Sequence, residues 1–155
     1  MPVKGGVGAS TLAPNVSSLL ANQFKVRTLL IDADLASGTV QFQLNLTNNS
    51  SLIDAVRRST ELDESLWADL TGKSDQLDVL HAGGSDYFPH LDEEDLLPVL
   101  ALARAQYSVI CADLGTNFCS LTIEFLRQSR QVLLVTTLPM AASAKWVSAI
   151  ASRSC

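Results

Sequence analysis

The sequence predicts an α/β fold with a mainly parallel sheet and helices on both faces. Three observations carry this expectation. Short apolar runs rich in Leu, Val and Ile alternate along the chain with longer amphipathic stretches. Two of those runs, Thr28-Leu-Leu-Ile-Asp32 and Tyr107-Ser-Val-Ile-Cys-Ala-Asp113, end in acids, and open α/β sheets place their ligands at the carboxyl ends of strands. A glycine-rich segment, Lys4-Gly5-Gly6-Val7-Gly8-Ala9-Ser10-Thr11, opens directly onto a helical pattern. Glycines so placed let backbone N–H groups turn around an anion, and the following helix adds the positive end of its dipole.

In chain order, Ser10 to about Gln23 reads as a helix with Leu12, Val16, Leu19 and Leu20 at core spacing. Pro14 falls inside it, where it removes a backbone bond or bends the axis. Arg27 to Ile31 is a short buried strand ending at Asp32. Ser50 or Ser51 caps a helix carrying Leu52, Ile53 and Val56, and Glu61 to Leu70 forms another. Leu77 to His81 is a strand closed by Gly83-Gly84. Asp92 to Gln106 is a helix whose acidic start suits its dipole. Tyr107 to Leu114 and Gln131 to Thr137 are further strands, with helices at Leu121 to Gln128 and Ala141 to Ile150. A phosphate loop normally follows a buried strand, yet only Met1-Pro2-Val3 precede Lys4, and the chain stops on a polar tail soon after a helix. The pattern therefore predicts one partial domain over residues 1–155, with its first strand missing or reduced to a stub, cut from a longer protein.

The composition is that of an ordinary globular chain: 47% of the 155 residues are hydrophobic and 17% charged. A net charge of −5 without any Lys/Arg run argues against a general grip on nucleic acid. No apolar run reaches the ~18 residues of a membrane-spanning helix, and no secretory signal precedes the glycine-rich loop. Cys111, Cys119 and Cys155 are odd in number and form no CxxC, which disfavours a disulfide framework or structural zinc and fits a reduced, cytoplasmic setting. Cys111, inside an apolar run, reads as a small buried hydrophobe.

The chemistry gathers on the loop and the three strand-end acids. Magnesium held with phosphate takes hard oxygen ligands, usually a loop hydroxyl and a carboxylate, with water completing the octahedron. Ser10 and Asp113 are the natural pair, and Asp32 or Asp34 is placed to orient an attacking water. The common loop pattern G-x-x-x-x-G-K-[ST] would put Gly at position 3 and Lys at position 9, whereas this chain has Val3 and Ala9. Other residues read more plainly. His81 suits packing or hydrogen bonding, His90 a solvated loop, and Asp92 to Asp95 an acidic helix start. Trp67 and Trp146 lie on helical segments.

The run Lys4-Gly-Gly-Val-Gly-Ala-Ser-Thr, followed by Ala13-Pro-Asn15 and then Leu29-Leu-Ile-Asp-Ala-Asp34, resembles the ParA/MinD superfamily of deviant Walker A ATPases. Ala9 and the stretch Asp34 to Leu46 resemble its CpaE/TadZ branch, associated with type IV or Flp pilus assembly. The similarity runs from Lys4 to about Ala144. It implies a P-loop NTPase three-layer sandwich that binds ATP and Mg2+. It also implies a homodimer working with pilus or secretion machinery, in the cytoplasm or recruited to a membrane-associated pilus machine.

By position, the resemblance makes Lys4 the signature lysine that reaches a partner's phosphates, and Gly5, Gly6, Val7, Gly8 and Ala9 the loop backbone. Ser10 becomes the magnesium ligand and Thr11 a phosphate contact. Asp34 is implied in hydrolysis, Asp32 lies near the metal, and Asp113 is the Walker B acid. Most members carry a lysine where this chain has Ala9. Losing that charge-assisted contact removes a few kcal/mol, so hydrolysis is expected to be weak or absent unless Lys4 compensates. Three functions follow: a nucleotide-gated localisation or scaffold factor in pilus assembly, a competent dimeric ATPase using Lys4 and Asp34, or a structural module without nucleotide.

Overall fold

The computed structural model describes residues 1–83 and 93–137. Its centre is a four-stranded sheet in the order β2-β3-β1-β4, made of β1 (Thr28–Asp32), β2 (Gly72–Ser74), β3 (Leu77–Leu80) and β4 (Val109–Asp113). β1 pairs in parallel with β3 and with β4, and the last pairing sets Asp32 beside Asp113. All five β1 residues are buried. A central parallel strand is covered on both faces, which is why this one reads as a continuous apolar run. Leu29, Leu30 and Ile31 are fully enclosed, each contributing about 1.5–3 kcal/mol by burial.

The helices form two layers. α1 (Ala9–Asn22) and the short α2 (Val40–Gln43) lie on one face, where Ala21, Leu30, Val40, Leu77 and Val79 make a small core. Opposite it, α3 (Leu52–Arg57), α4 (Glu64–Leu70), α5 (Glu93–Gln106) and α6 (Ser120–Gln128) share the larger core with Leu29, Ile31 and Leu80. Trp67 of α4 belongs to this core, its indole N–H donating to the Tyr107 hydroxyl, which itself donates to Asp78. α3 begins at Ser51, not Ser50. The Ser51 and Asp54 side chains each accept from the other's backbone N–H, a complete capping box.

Several expectations need correction. The helix expected over Glu61 to Leu70 divides into a 3-10 turn at Ser59–Glu61 and α4, because Asp63 caps a new start. The antiparallel β2–β3 pair was not foreseen. β2 has only three residues, and the turn places Asp75 at φ 54. Gln131 to Thr137 forms no full strand: only Val135 bridges, in parallel with Pro2. Leu12, Val16 and Leu19 are not core. All three are exposed, Leu12 and Val16 because they line the open space between β4 and residues 131–135. The same opening leaves Cys111 half-buried. Pro14 is accommodated in α1 by forgoing a bond to the Ser10 carbonyl. Gly84, His90, Asp92, the Ala141 to Ile150 helix, Trp146 and Cys155 lie outside the described residues.

Candidate functional site

The Lys4–Thr11 loop runs from the Pro2 bridge to the start of α1. Gly6 (φ 75) and Gly8 (φ 88) hold left-handed backbone that side chains disfavour, and Gly8 caps the helix in that conformation. The Gly8 carbonyl accepts from the N–H groups of Thr11 and Leu12. No side chain caps this end of α1, so its positive end stays available to an anion. A Cβ on Gly5, Gly6 or Gly8 would meet nothing within 4 Å, so the loop is open on its outer side. Lys4 is exposed and forms no ion pair with any described residue. Ala9 is packed at the first helical position, 5% exposed.

Beneath the loop, the ends of β1 and β4 bring three carboxylates together. Asp32 is buried and has both oxygens engaged: Oδ1 accepts from the Asp34 N–H at 3.2 Å and Oδ2 from the Val40 N–H at 3.1 Å. Burial drives its carboxyl up to about 6 against those two bonds, with smaller contributions from Asp113 and Asp34. Asp113 is likewise buried and raised by burial. The neighbouring Ser10 hydroxyl and the Met1 amino group oppose that shift, while Asp34 adds to it. Its Oδ1 is buried with no hydrogen-bond partner. Asp34 is half-buried, and its Oδ1 accepts from the Ser37 N–H at 3.1 Å.

The structure thus brings Ser10, Asp32, Asp34 and Asp113 to one edge of the sheet and sets Lys4 to Thr11 at the same end. It gives Asp32 a duty that sequence did not reveal, that of clasping the 33–40 loop through two backbone bonds. Sequence reasoning also gave no role to two glycines. A Cβ at Gly38 would stand 2.7 Å from Asp32 Oδ2 and 2.7 Å from Ala82 Cβ, and one at Gly115 would stand 2.6 Å from Asp34 Cγ. The only available signal was that each follows an acid within a few residues. His81 takes a structural role: it is buried, its Nδ1 accepts from the Gly83 N–H and its Nε2 faces the Asn48 carbonyl.

The orphaned Asp113 oxygen tests whether a cation fits. Together with the Ser10 hydroxyl it offers two hard oxygens in a buried, negatively charged corner. Among the described residues no three acidic, His or Cys side chains surround one point. That donor set suits magnesium, which is held by one or two protein oxygens alongside phosphate and water.

No protein-family model matches the chain. The antiactivator FleN of Pseudomonas aeruginosa is 29% identical over 135 residues, covering 85% of this chain and 47% of FleN. A ParA family ATPase from Chlorobium tepidum superposes with a TM-score of 0.74 at 23% identity, over 86% of this chain and 57% of that one. The fold is that of the ParA and MinD ATPases. MinD of Pyrococcus horikoshii, solved with Mg-ADP, has a TM-score of 0.68 at 22% identity, over 86% of this chain and 54% of MinD. The chain spans about half the length of FleN and of MinD. In this ParA/MinD fold the acids at the ends of β1 and β4 stand at the sheet's carboxyl edge, where such folds place ligands. None of the described helices is long and apolar enough to cross a membrane.

Proposed function

We propose that this chain is a magnesium- and ATP-binding module of the ParA/MinD type, working as a nucleotide-gated switch with weak or absent turnover. The observation that carries it is the buried, unpartnered Asp113 oxygen near Ser10, under an open glycine loop. Ser10 and Asp113 would hold the cation, with Asp32 close by. The loop N–H groups and Thr11 would bind phosphate, and bound magnesium would neutralise phosphate charge. Asp34 would orient a water. Exposed Lys4 is available to a second copy of the chain, which supports a homodimeric active form.

Ala9 supports weak turnover, since its methyl brings no charge to the phosphates. Ala9 and the Asp34 to Leu46 stretch further favour a CpaE/TadZ-like localisation or scaffold role in pilus assembly, in the cytoplasm or at a membrane-associated machine. The FleN similarity favours a second reading, restraint of an activator protein. ATP affinity measured with and without magnesium tests the module itself. If ATP fails to bind under both conditions, the chain is a structural module. Single-turnover hydrolysis in the parent, Lys4→Ala and Asp34→Ala then tests gating against catalysis: turnover abolished by both substitutions would mark a competent ATPase.

A further inference from the structure

The ends of α1, α5 and α6 bring cations to the amino edge of the sheet, where β1 and β4 begin. Lys25 and Arg27 lead into β1, Arg104 lies in the last turn of α5, and Arg130 follows α6. All four are exposed, and none forms an ion pair with any described residue. Neutral groups link them into one band. The Arg27 guanidinium lies over the Tyr107 ring, 5.3 Å from its centroid, and donates to Gln106 Oε1 at 3.5 Å. Arg104 donates to the Gln128 carbonyl at 3.1 Å and to Gln128 Oε1 at 2.9 Å, two residues before Arg130. Arg104 and Arg130 also line the open cleft between β4 and residues 131–135.

These partners orient two guanidinium groups without cancelling their charge. A planar fork so held matches a carboxylate or phosphate through paired hydrogen bonds. In the same turn Phe24 is 65% exposed, its N–H donating to the carbonyl of Leu19, which is also exposed. An aromatic ring beside cations offers an apolar anchor with a charged rim. The nearby Asp78 is already paired with Lys73 at 3.4 Å. The acids at the far end of β1 are five residues away, about 16 Å, which exceeds the ~8 Å Debye length at physiological salt. Net charge then separates the anions such a band could take. A nucleic acid or an anionic bilayer extends over the whole chain, whose net charge of −5 repels it. A short acidic stretch of polypeptide meets the band alone.

We propose that this edge is a docking surface for an acidic segment of a partner protein. Its carboxylates would meet Lys25, Arg27, Arg104 and Arg130, and an apolar side chain would cover Phe24. The surface lies at the opposite end of the sheet from the glycine loop and does not depend on nucleotide binding.

The test follows fluorescence anisotropy of a labelled peptide, Gly-Asp-Glu-Leu-Glu-Asp-Leu-Glu-Gly, titrated with the 155-residue chain. The same peptide with Asn and Gln in place of its acids is the control. The acidic peptide should bind and the neutral one should not, and its affinity should fall about tenfold or more between ~25 and ~250 mM salt. Lys25→Glu and Arg130→Glu alter exposed side chains that bond no described residue, so both should fold. Each should weaken binding about fivefold, whereas Lys4→Glu, an equal reversal at the opposite edge, should change it less than about twofold. Arg27→Lys keeps the charge but loses the fork, and should still weaken binding. Failure of the acidic peptide to bind at ~25 mM salt overturns the proposal. So does an equal loss from Lys4→Glu, which would make the attraction one of net charge. Tighter binding of phosphatidylserine vesicles or of oligothymidylate than of the peptide, lost in Lys25→Glu, would also overturn it by giving the band to lipid or nucleic acid.

Discussion

At the residue scale, the site is held by close approaches more than by bonds. Gly115 has no room for a side chain, because its Cβ would meet the Asp34 carboxylate at 2.6 Å. Gly115→Ala should push Asp34 off the Ser37 N–H and destabilise the fold by about 1–3 kcal/mol in urea denaturation. Removing the obstructing carboxylate in the double variant with Asp34→Ala should restore most of that loss. A fully additive pair would show that the two positions do not collide. Asp32 supplies a second prediction, with an unusual sign. Its carboxyl sits at about 6 when folded and 3.8 otherwise, so between those pH values the folded state holds the extra proton. Its contribution is complete below pH 3.8 and is lost as pH rises through about 6. Relative to Asp32→Asn, the parent should therefore gain about 2.4 kcal/mol on going from pH 7 to pH 4. Parallel stability curves would remove the case for a strained buried carboxylate.

At the element scale, what sequence revealed was whatever a single element decides for itself. β1 was legible because Leu29, Leu30 and Ile31 are apolar and run into an acid, and α3 because a serine precedes Leu52, Ile53 and Val56 at helical spacing. The β2–β3 hairpin was not, since Gly72-Lys73-Ser74 has no strand character and pairs only because β3 is there. Likewise α1 shows apolar spacing that the sequence assigns to the core, but whether Leu12 is covered depends on what lies across the cleft. The acids of the site were readable from strand ends, whereas Gly38 and Gly115 matter only through neighbours distant in sequence. His81 at the end of β3 joins elements in a testable way. It bonds Gly83 and Asn48, and burial lowers its pKa below 6.5 despite the Asn48 bond and the Asp54 charge. The unfolded chain then takes up a proton first, so this stability is present above pH 6.5 and falls as pH drops below it. His81→Asn should flatten that part of the curve in urea titrations between pH 7.5 and 5.5. A variant curve as steep as the parent's would place the titration elsewhere.

At the scale of the whole molecule, negative charge converges where a ligand's negative charge would also have to sit. Asp32 and Asp113 are adjacent across β1 and β4, buried and raised by that burial, with Asp34 beside them. An isolated nucleotide triphosphate would add to this repulsion, while the loop and the positive end of α1 alone would attract it. Binding of ATP should therefore depend steeply on a divalent cation placed between the phosphates and Asp113. Thermal unfolding reads this directly. ATP with magnesium at about a hundred times its Kd should add ~2.7 kcal/mol, roughly 5–10 °C for a domain of this size. ATP with a chelator should add little. Asp113→Asn should remove most of the magnesium-dependent part while keeping the fold, because it leaves the Ser10 hydroxyl an acceptor and relieves a buried charge. Lys4→Ala should leave the shift of the monomer unchanged, since Lys4 touches no carboxylate here, and should weaken only the concentration-dependent part. A melting temperature indifferent to ATP, with or without magnesium, would make the converging acids a feature of folding and not of ligand binding.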